Sequence, residues 1–265
     1  MTRAPITLEY HDIIDGDDFG VSGFPGPSSA SYKLAASDFV AHLRLVASAG
    51  NVVTPHLAFG NAPPLPGQPI LLTFDDGGVS AITSAAPTLE AAGCRGVFLI
   101  TSDYIGTATF LSAQHIRELH ARGHVVGSHS CSHPLRMAAC TREQLSREWR
   151  DSVAVLSDLL GTQIDTASVP GGYFSRAVAE TAAEAGIRFL FTSEPTTRVM
   201  LVDGCRVLGR YTLRRWHAAP VAAGLVAASS AARSAQWLRW NTLKVAKRLG
   251  GDVYLRWRGR MFGDA

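Results

Sequence analysis

The chain has 265 residues, 46% of them hydrophobic and 18% charged, with a formal charge of +3. That is enough for one large core and too short for two full-sized domains, so one catalytic domain over 1–265 is expected. No repeat of solenoid period is present. No apolar run approaches the roughly 18 residues of a membrane span, and no basic-then-apolar leader opens the chain. The cytoplasm is therefore the expected location. Cys94, Cys131, Cys140 and Cys205 are scattered without CxxC spacing and read as reduced thiols.

In chain order, residues 7–11 alternate as a first strand. Residues 15–31, rich in Gly, Pro, Ser and Asp, form a long loop able to cover a small substrate. A helix follows from Ser37 to about Ala49, then a short strand at 52–54. The apolar run Ile70-Leu71-Leu72-Thr73-Phe74 ends in Asp75-Asp76-Gly77-Gly78. Residues 81–92 have a helical pattern and 96–100 that of a strand. Ser112 and Thr141 stand as helix caps on either side of a strand that opens into Gly127-Ser128-His129. A strand at 166–169 precedes Pro170-Gly171-Gly172-Tyr173; Ser175 caps the next helix; a strand returns at 187–191, and 206–213 holds one or two more. Alternating strands and helices predict an α/β fold, with polar residues at strand ends where a barrel keeps its active site.

Asp75 and Asp76 point in different directions after a buried-looking strand, so one carboxylate can bind a metal while the other serves as base. A polar turn is the simpler reading of the same four residues. In His129-Ser130-Cys131-Ser132-His133-Pro134, two imidazoles four residues apart converge on one ion if the segment turns like a helix. With Asp76 they offer three N/O donors and leave a position open, the pattern of a catalytic zinc site; cobalt, manganese or iron also suit such ligands.

These two motifs, Thr73-Phe74-Asp75-Asp76-Gly77 and His129 to Pro134, resemble the signature of the polysaccharide deacetylase family, also called NodB-homology or carbohydrate esterase family 4. The resemblance runs from about residue 70 to 191. It implies a distorted (β/α) barrel of seven strands and metal-dependent hydrolysis of the N-acetyl amide of an amino sugar, releasing acetate. It assigns Asp75 as catalytic base, and Asp76, His129 and His133 as ligands of one divalent ion, taken as Zn2+. Pro170, Gly172 and Tyr173 match the groove-lining motif, with the Tyr173 amide holding the oxyanion. Asp103 stands after a strand where it can touch substrate.

The sequence also departs from that pattern. The family's general acid is a late histidine in a Leu-x-x-His-like motif; His217, in Leu213-Arg214-Arg215-Trp216-His217, is the nearest match, and His11 at the end of the first strand is the rival. Ala167-Ser168-Val169 lacks the arginine that supports the base, and Glu194 stands where an aspartate is usual. Arg198 or Arg210 can supply the positive charge instead.

From about 231 to 260 the chain is basic and amphipathic, with Trp237, Leu238 and Trp240 among its arginines and lysines. Such a segment can make peripheral contact with an anionic membrane or pack on the barrel. No recognition motif accompanies the charge, so nucleic acid is not an expected partner. The expected partner is an N-acetylated amino sugar or its soluble or lipid-linked conjugate. The alternatives are a metal-dependent amidase acting on a non-sugar amide and a catalytically silent carbohydrate-binding protein of the same fold.

Overall fold

The computed structural model describes residues 3–60, 67–227 and 231–242. The strands are β1 (Ile6–Tyr10), β2 (Ile13–Ile14), β3 (Leu34–Ala35), β4 (Asn51–Val52), β5 (Pro69–Phe74), β6 (Val97–Ile100), β7 (Val125–Ser128), β8 (Thr166–Ser168), β9 (Phe189–Phe191), β10 (Met200–Val202), β11 (Cys205–Leu208) and β12 (Tyr211–Thr212). The helices are α1 (Pro27–Ala30), α2 (Ala36–Ala49), α3 (Pro55–Phe59), α4 (Ala86–Ala91), α5 (Ala113–Ala121), α6 (Arg142–Leu160), α7 (Arg176–Glu184) and α8 (Ala219–Val226); residues 231–242 form a further helix, α9. Side-chain chemistry sets several of these boundaries. Ser112 and Thr141 close capping boxes with His115 and Gln144, Ser175 accepts from the Val178 amide, and Gly161 ends α6 in the left-handed region.

The main sheet runs β12-β1-β5-β6-β7-β8-β9-β11-β10, with β4 pairing the start of β5. All its pairs are parallel except β10 against β11. The path thus holds nine strands where seven were expected. One extra is β10, which folds back on β11. The other arises because the segment after β10 is divided: β11 pairs β9 and β12 pairs β1, at opposite ends of the path. The chain crosses that seam at Gly209-Arg210, so the barrel is distorted and its ladder is not continuous there.

Alternation along the strands sorts the side chains into two sets. Ile70, Leu72, Phe74, Phe98, Ile100 and Val126 point outward into the core shared with α2, α5 and the α4 turn. The inward set begins with an apolar plug of Val53, Leu71, Val97, Leu99, Phe189, Phe191 and Leu208. Above it, on the same parity and toward the strand C-termini, the inward residues become polar: Glu9, Thr73, Asp75, His129, Ser168, Arg210 and Thr212. The apolar layer closes the bottom of the barrel, and the polar layer forms its mouth.

Among the described residues no helix is long and apolar enough to cross a membrane. The part of the basic segment beyond residue 242 lies outside the described residues.

Candidate active site

Asp75 continues the β5 ladder, its amide donating to Tyr10 O at 3.0 Å. The next residue breaks it: Asp76 has φ 76° and Gly77 φ 89°. That left-handed pair turns the Asp76 carboxylate away from its neighbour's direction, at a backbone cost of order 1–3 kcal/mol for the non-glycine residue. Asp76 Oδ1 then lies 3.3 Å from His129 Nε2 and 3.6 Å from His133 Nε2. These three residues offer donor atoms all within 4.8 Å of one another.

The histidines do not converge by a helical turn, as the spacing suggested. Residues 129–133 are irregular, with φ 63° at Ser130 and 60° at His133. Glu148 on α6 holds the loop: its Oε2 accepts from the Cys131 and Ser132 amides at 2.9 Å each, and its Oε1 from the Ser132 hydroxyl at 2.6 Å. Loop 15–31 packs against the other side. Buried Lys33 donates to the carbonyls of Phe19, Ser22 and Phe24, and the Phe24 ring packs tilted against His133, with 4.8 Å between centroids. Asp12, accepting from Ser22 and Ser80, joins that loop to the segment after the acid pair.

Ser168 sets the role of His129 Nδ1. Its hydroxyl donates to Asp75 Oδ1 at 3.1 Å, so its contact with His129 Nδ1 must be one it accepts. Nδ1 therefore carries a hydrogen, and Nε2, 3.3 Å from Asp76 Oδ1, is the nitrogen left to ligate an ion once unprotonated.

Asp75 is fixed by Arg210, a fully buried residue. Its Nη1 and Nη2 donate to the two Asp75 oxygens at 2.6 and 2.7 Å, its Nε to Thr192 O, and Nη1 also to Thr73 Oγ1. Burial alone would raise the Asp75 pKa; the Arg210 and His129 charges outweigh it and hold the carboxyl below its ordinary range. Asp76 is held low in the same way, by His129, His11 and His133 against burial. Of Arg198 and Arg210, the seam crossing brings Arg210 to Asp75. Nothing in the motif order pointed to Ser168. For Arg210 the available signal was a lone cation in the apolar run Val207-Leu208-Gly209-Arg210-Tyr211, which a buried strand must pair.

Glu9 completes the mouth, accepting from Ser193 and Thr212 and lying 3.6 Å from Arg210. Three carboxylates, Glu9, Asp75 and Asp76, thus face one buried guanidinium. One divalent cation would cancel the formal excess of two negative charges, so the donor set and the charge both fit such an ion. Glu9, His11 and Asp75 also cluster within 4.8 Å, but Arg210 already engages both Asp75 oxygens, so the first set is the better cage.

The remaining expected residues are distributed unevenly. His11 lies at this mouth, its ring tilted against Tyr32 with 4.7 Å between centroids, and its Nδ1 is buried and unpartnered among the described residues. His217 does not reach it: its ring accepts from the Arg214 amide and its carbonyl from His42 Nε2, so it belongs to the turn after β12. Glu194 contributes its backbone carbonyl, which accepts from the Arg210 amide, and its side chain makes no site contact among those described. Asp103 accepts from the Cys131 thiol on the outer side of the histidine loop, beside an open cavity shared with Glu148 and Asp151. Pro170 is buried two residues after β8, and Gly171 and Gly172 take φ 62° and 69° to turn the chain to half-buried Tyr173.

Fold and site together define a metal-dependent hydrolase built on a distorted barrel. The polysaccharide deacetylase model matches residues 62–190 of the chain. It is 25% identical over 226 residues to the putative polysaccharide deacetylase YxkH of Bacillus subtilis (strain 168), covering 84% of this chain and 74% of that one. Its fold is similar to that of the Streptococcus pyogenes deacetylase PplD solved with acetate, with TM-score 0.69, 17% identity and coverage of 82% and 95%. It is also similar to that of IcaB from Ammonifex degensii, with TM-score 0.69, 21% identity and coverage of 85% and 98%.

Proposed function

We propose that the protein hydrolyses the N-acetyl amide of an amino sugar, using one zinc ion held by Asp76, His129 and His133. The observation that carries this reading is the placing of a three-donor set beside a carboxylate whose two oxygens are fixed by buried Arg210. A bound divalent ion supplies polarisation of the acyl carbonyl and acidifies water.

The protein's own groups account for the rest. Asp75 stays anionic in a buried site and takes a proton as water attacks the acyl carbon. Arg210 and Ser168 keep its oxygens in place through that step. The Tyr173 amide, at the turn after β8, is the proposed donor to the oxyanion. His11 gives a proton to the nitrogen as the C–N bond breaks, leaving acetate and a free amine. Its place beside Glu9 and Asp75 favours it over His217, whose ring is engaged elsewhere. The silent-scaffold alternative rested on the missing support for the base, and Arg210 removes that ground.

The test is acetate release from a panel of N-acetylated amino sugars by wild type and Asp75→Asn. Loss of at least about 100-fold in rate, with metal content retained, is expected of a general base. Equal rates, or no acetate from any member, would refute the reading.

A further inference from the structure

We infer that α9 forms one wall of the substrate groove, and that Gln236 and Trp240 on its inner face bind hydroxyl groups of the sugar. This rests on the deacetylase reading above.

The placement follows from contacts at three strand ends. A Cβ added at Gly172 would lie 3.0 Å from Ser193 Cβ and 3.2 Å from Trp240 Cη2, so the Trp240 ring stands against the turn that leads to Tyr173. Ser193 in turn donates to Glu9, the carboxylate beside His11. Four residues earlier, on the same face of the helix, Gln236 Nε2 donates to Thr212 O at 2.8 Å, and the Thr212 hydroxyl also reaches Glu9. The helix therefore lies over the C-terminal ends of β8, β9 and β12, at the barrel mouth.

Each inner residue holds a buried polar atom in reserve. Trp240 Nε1 and Gln236 Oε1 are buried and without a hydrogen-bond partner among the described residues. The Gln236 orientation is fixed by its bond to Thr212 O, which only the amide nitrogen can donate. Buried polar groups are costly when unpaired, and here one donor and one acceptor remain on one face beside the site. A sugar hydroxyl satisfies both roles: it accepts from the indole and donates to the amide oxygen. A hydrocarbon amine satisfies neither, and a site built to bond a hydroxyl discriminates strongly against substrates lacking one. The wall thus selects a sugar amide over a non-sugar amide. The outer face of the same helix carries exposed Trp237 and Leu238, which take no part in it.

The experiment compares kcat/KM for an N-acetylglucosamine oligosaccharide with kcat/KM for 4-nitrophenyl acetate, which has no sugar hydroxyl. Trp240→Phe keeps an aromatic ring and removes the N–H; Gln236→Leu removes the acceptor; Trp237→Ala alters the outer face. In metal-loaded protein, the sugar-to-ester ratio should fall about 5- to 10-fold in each inner-face variant, through KM, as expected for one lost hydrogen bond. Trp237→Ala should keep the wild-type ratio. Unchanged ratios in both inner-face variants, or an equal fall in Trp237→Ala, would overturn the inference while leaving the deacetylase reading intact. A wild-type protein that cleaves the ester and no sugar amide would overturn both.

Discussion

A single hydroxyl couples the two halves of the proposed chemistry, because Ser168 bonds both the base Asp75 and the ligand His129. Removing it frees the imidazole to rotate and to exchange tautomers. Ser168→Ala should therefore weaken metal binding about 10- to 100-fold, the usual effect of losing a partner behind a ligand; titration against a competing chelator measures it, and wild-type affinity would show that Ser168 has no such role. The acid can be assigned by leaving-group demand. A mutant lacking it should lose most amide hydrolysis and keep much of its activity on an activated ester, since only the amine must be protonated to depart. That selective loss is expected in His11→Ala and not in His217→Ala; the reverse result would return the role to His217. At this scale the legible residues were those whose chemistry is local in sequence. Asp75, Asp76, His129 and His133 announce themselves by adjacency or spacing. Ser168 and Arg210 depend on which strands lie side by side, and no short motif encodes that.

The elements act by holding these residues at one height in the barrel. Strand alternation carries Thr73 and Asp75, or Leu208 and Arg210, to the inside in succession, so the change from apolar plug to polar mouth follows from the period of two. That pattern was readable strand by strand. The seam was not, because 206–213 reads equally as one strand or two, and its division at Gly209-Arg210 depends on both β9 and β1. Outside the barrel, α2 is fastened to the turn after β12 by His42, which is buried, accepts from the Tyr10 hydroxyl at 3.4 Å and donates to His217 O at 2.7 Å. Burial holds its pKa below the ordinary histidine value, more than its bond to His217 O and the nearby Asp38 raise it. Below about pH 6.5 the unfolded chain takes up this proton first. The stabilisation is thus present above that pH and is lost as pH falls through the folded-state pKa. The slope of Tm against pH between about 6.5 and 5 should be shallower in His42→Gln than in wild type. Identical slopes would show that His42 does not contribute to the acid sensitivity.

Across the whole molecule, a barrel closed below by apolar side chains opens into a mouth with two surplus formal negative charges and three convergent donors. Alternating strands and helices indicated the α/β arrangement, and the basic tail was read as amphipathic. Its inner face could not be assigned from periodicity alone, because a stripe does not say what covers it. The central claim is that hydrolysis depends on one ion in that mouth. It is tested most directly by stripping the protein of metal, adding zinc stepwise and following acetate release from an N-acetylated amino sugar. The rate should rise from near zero and level off at one ion per chain, and the His129→Ala/His133→Ala protein should not respond. Full activity in the stripped protein, or an equal response from the double mutant, would contradict the account.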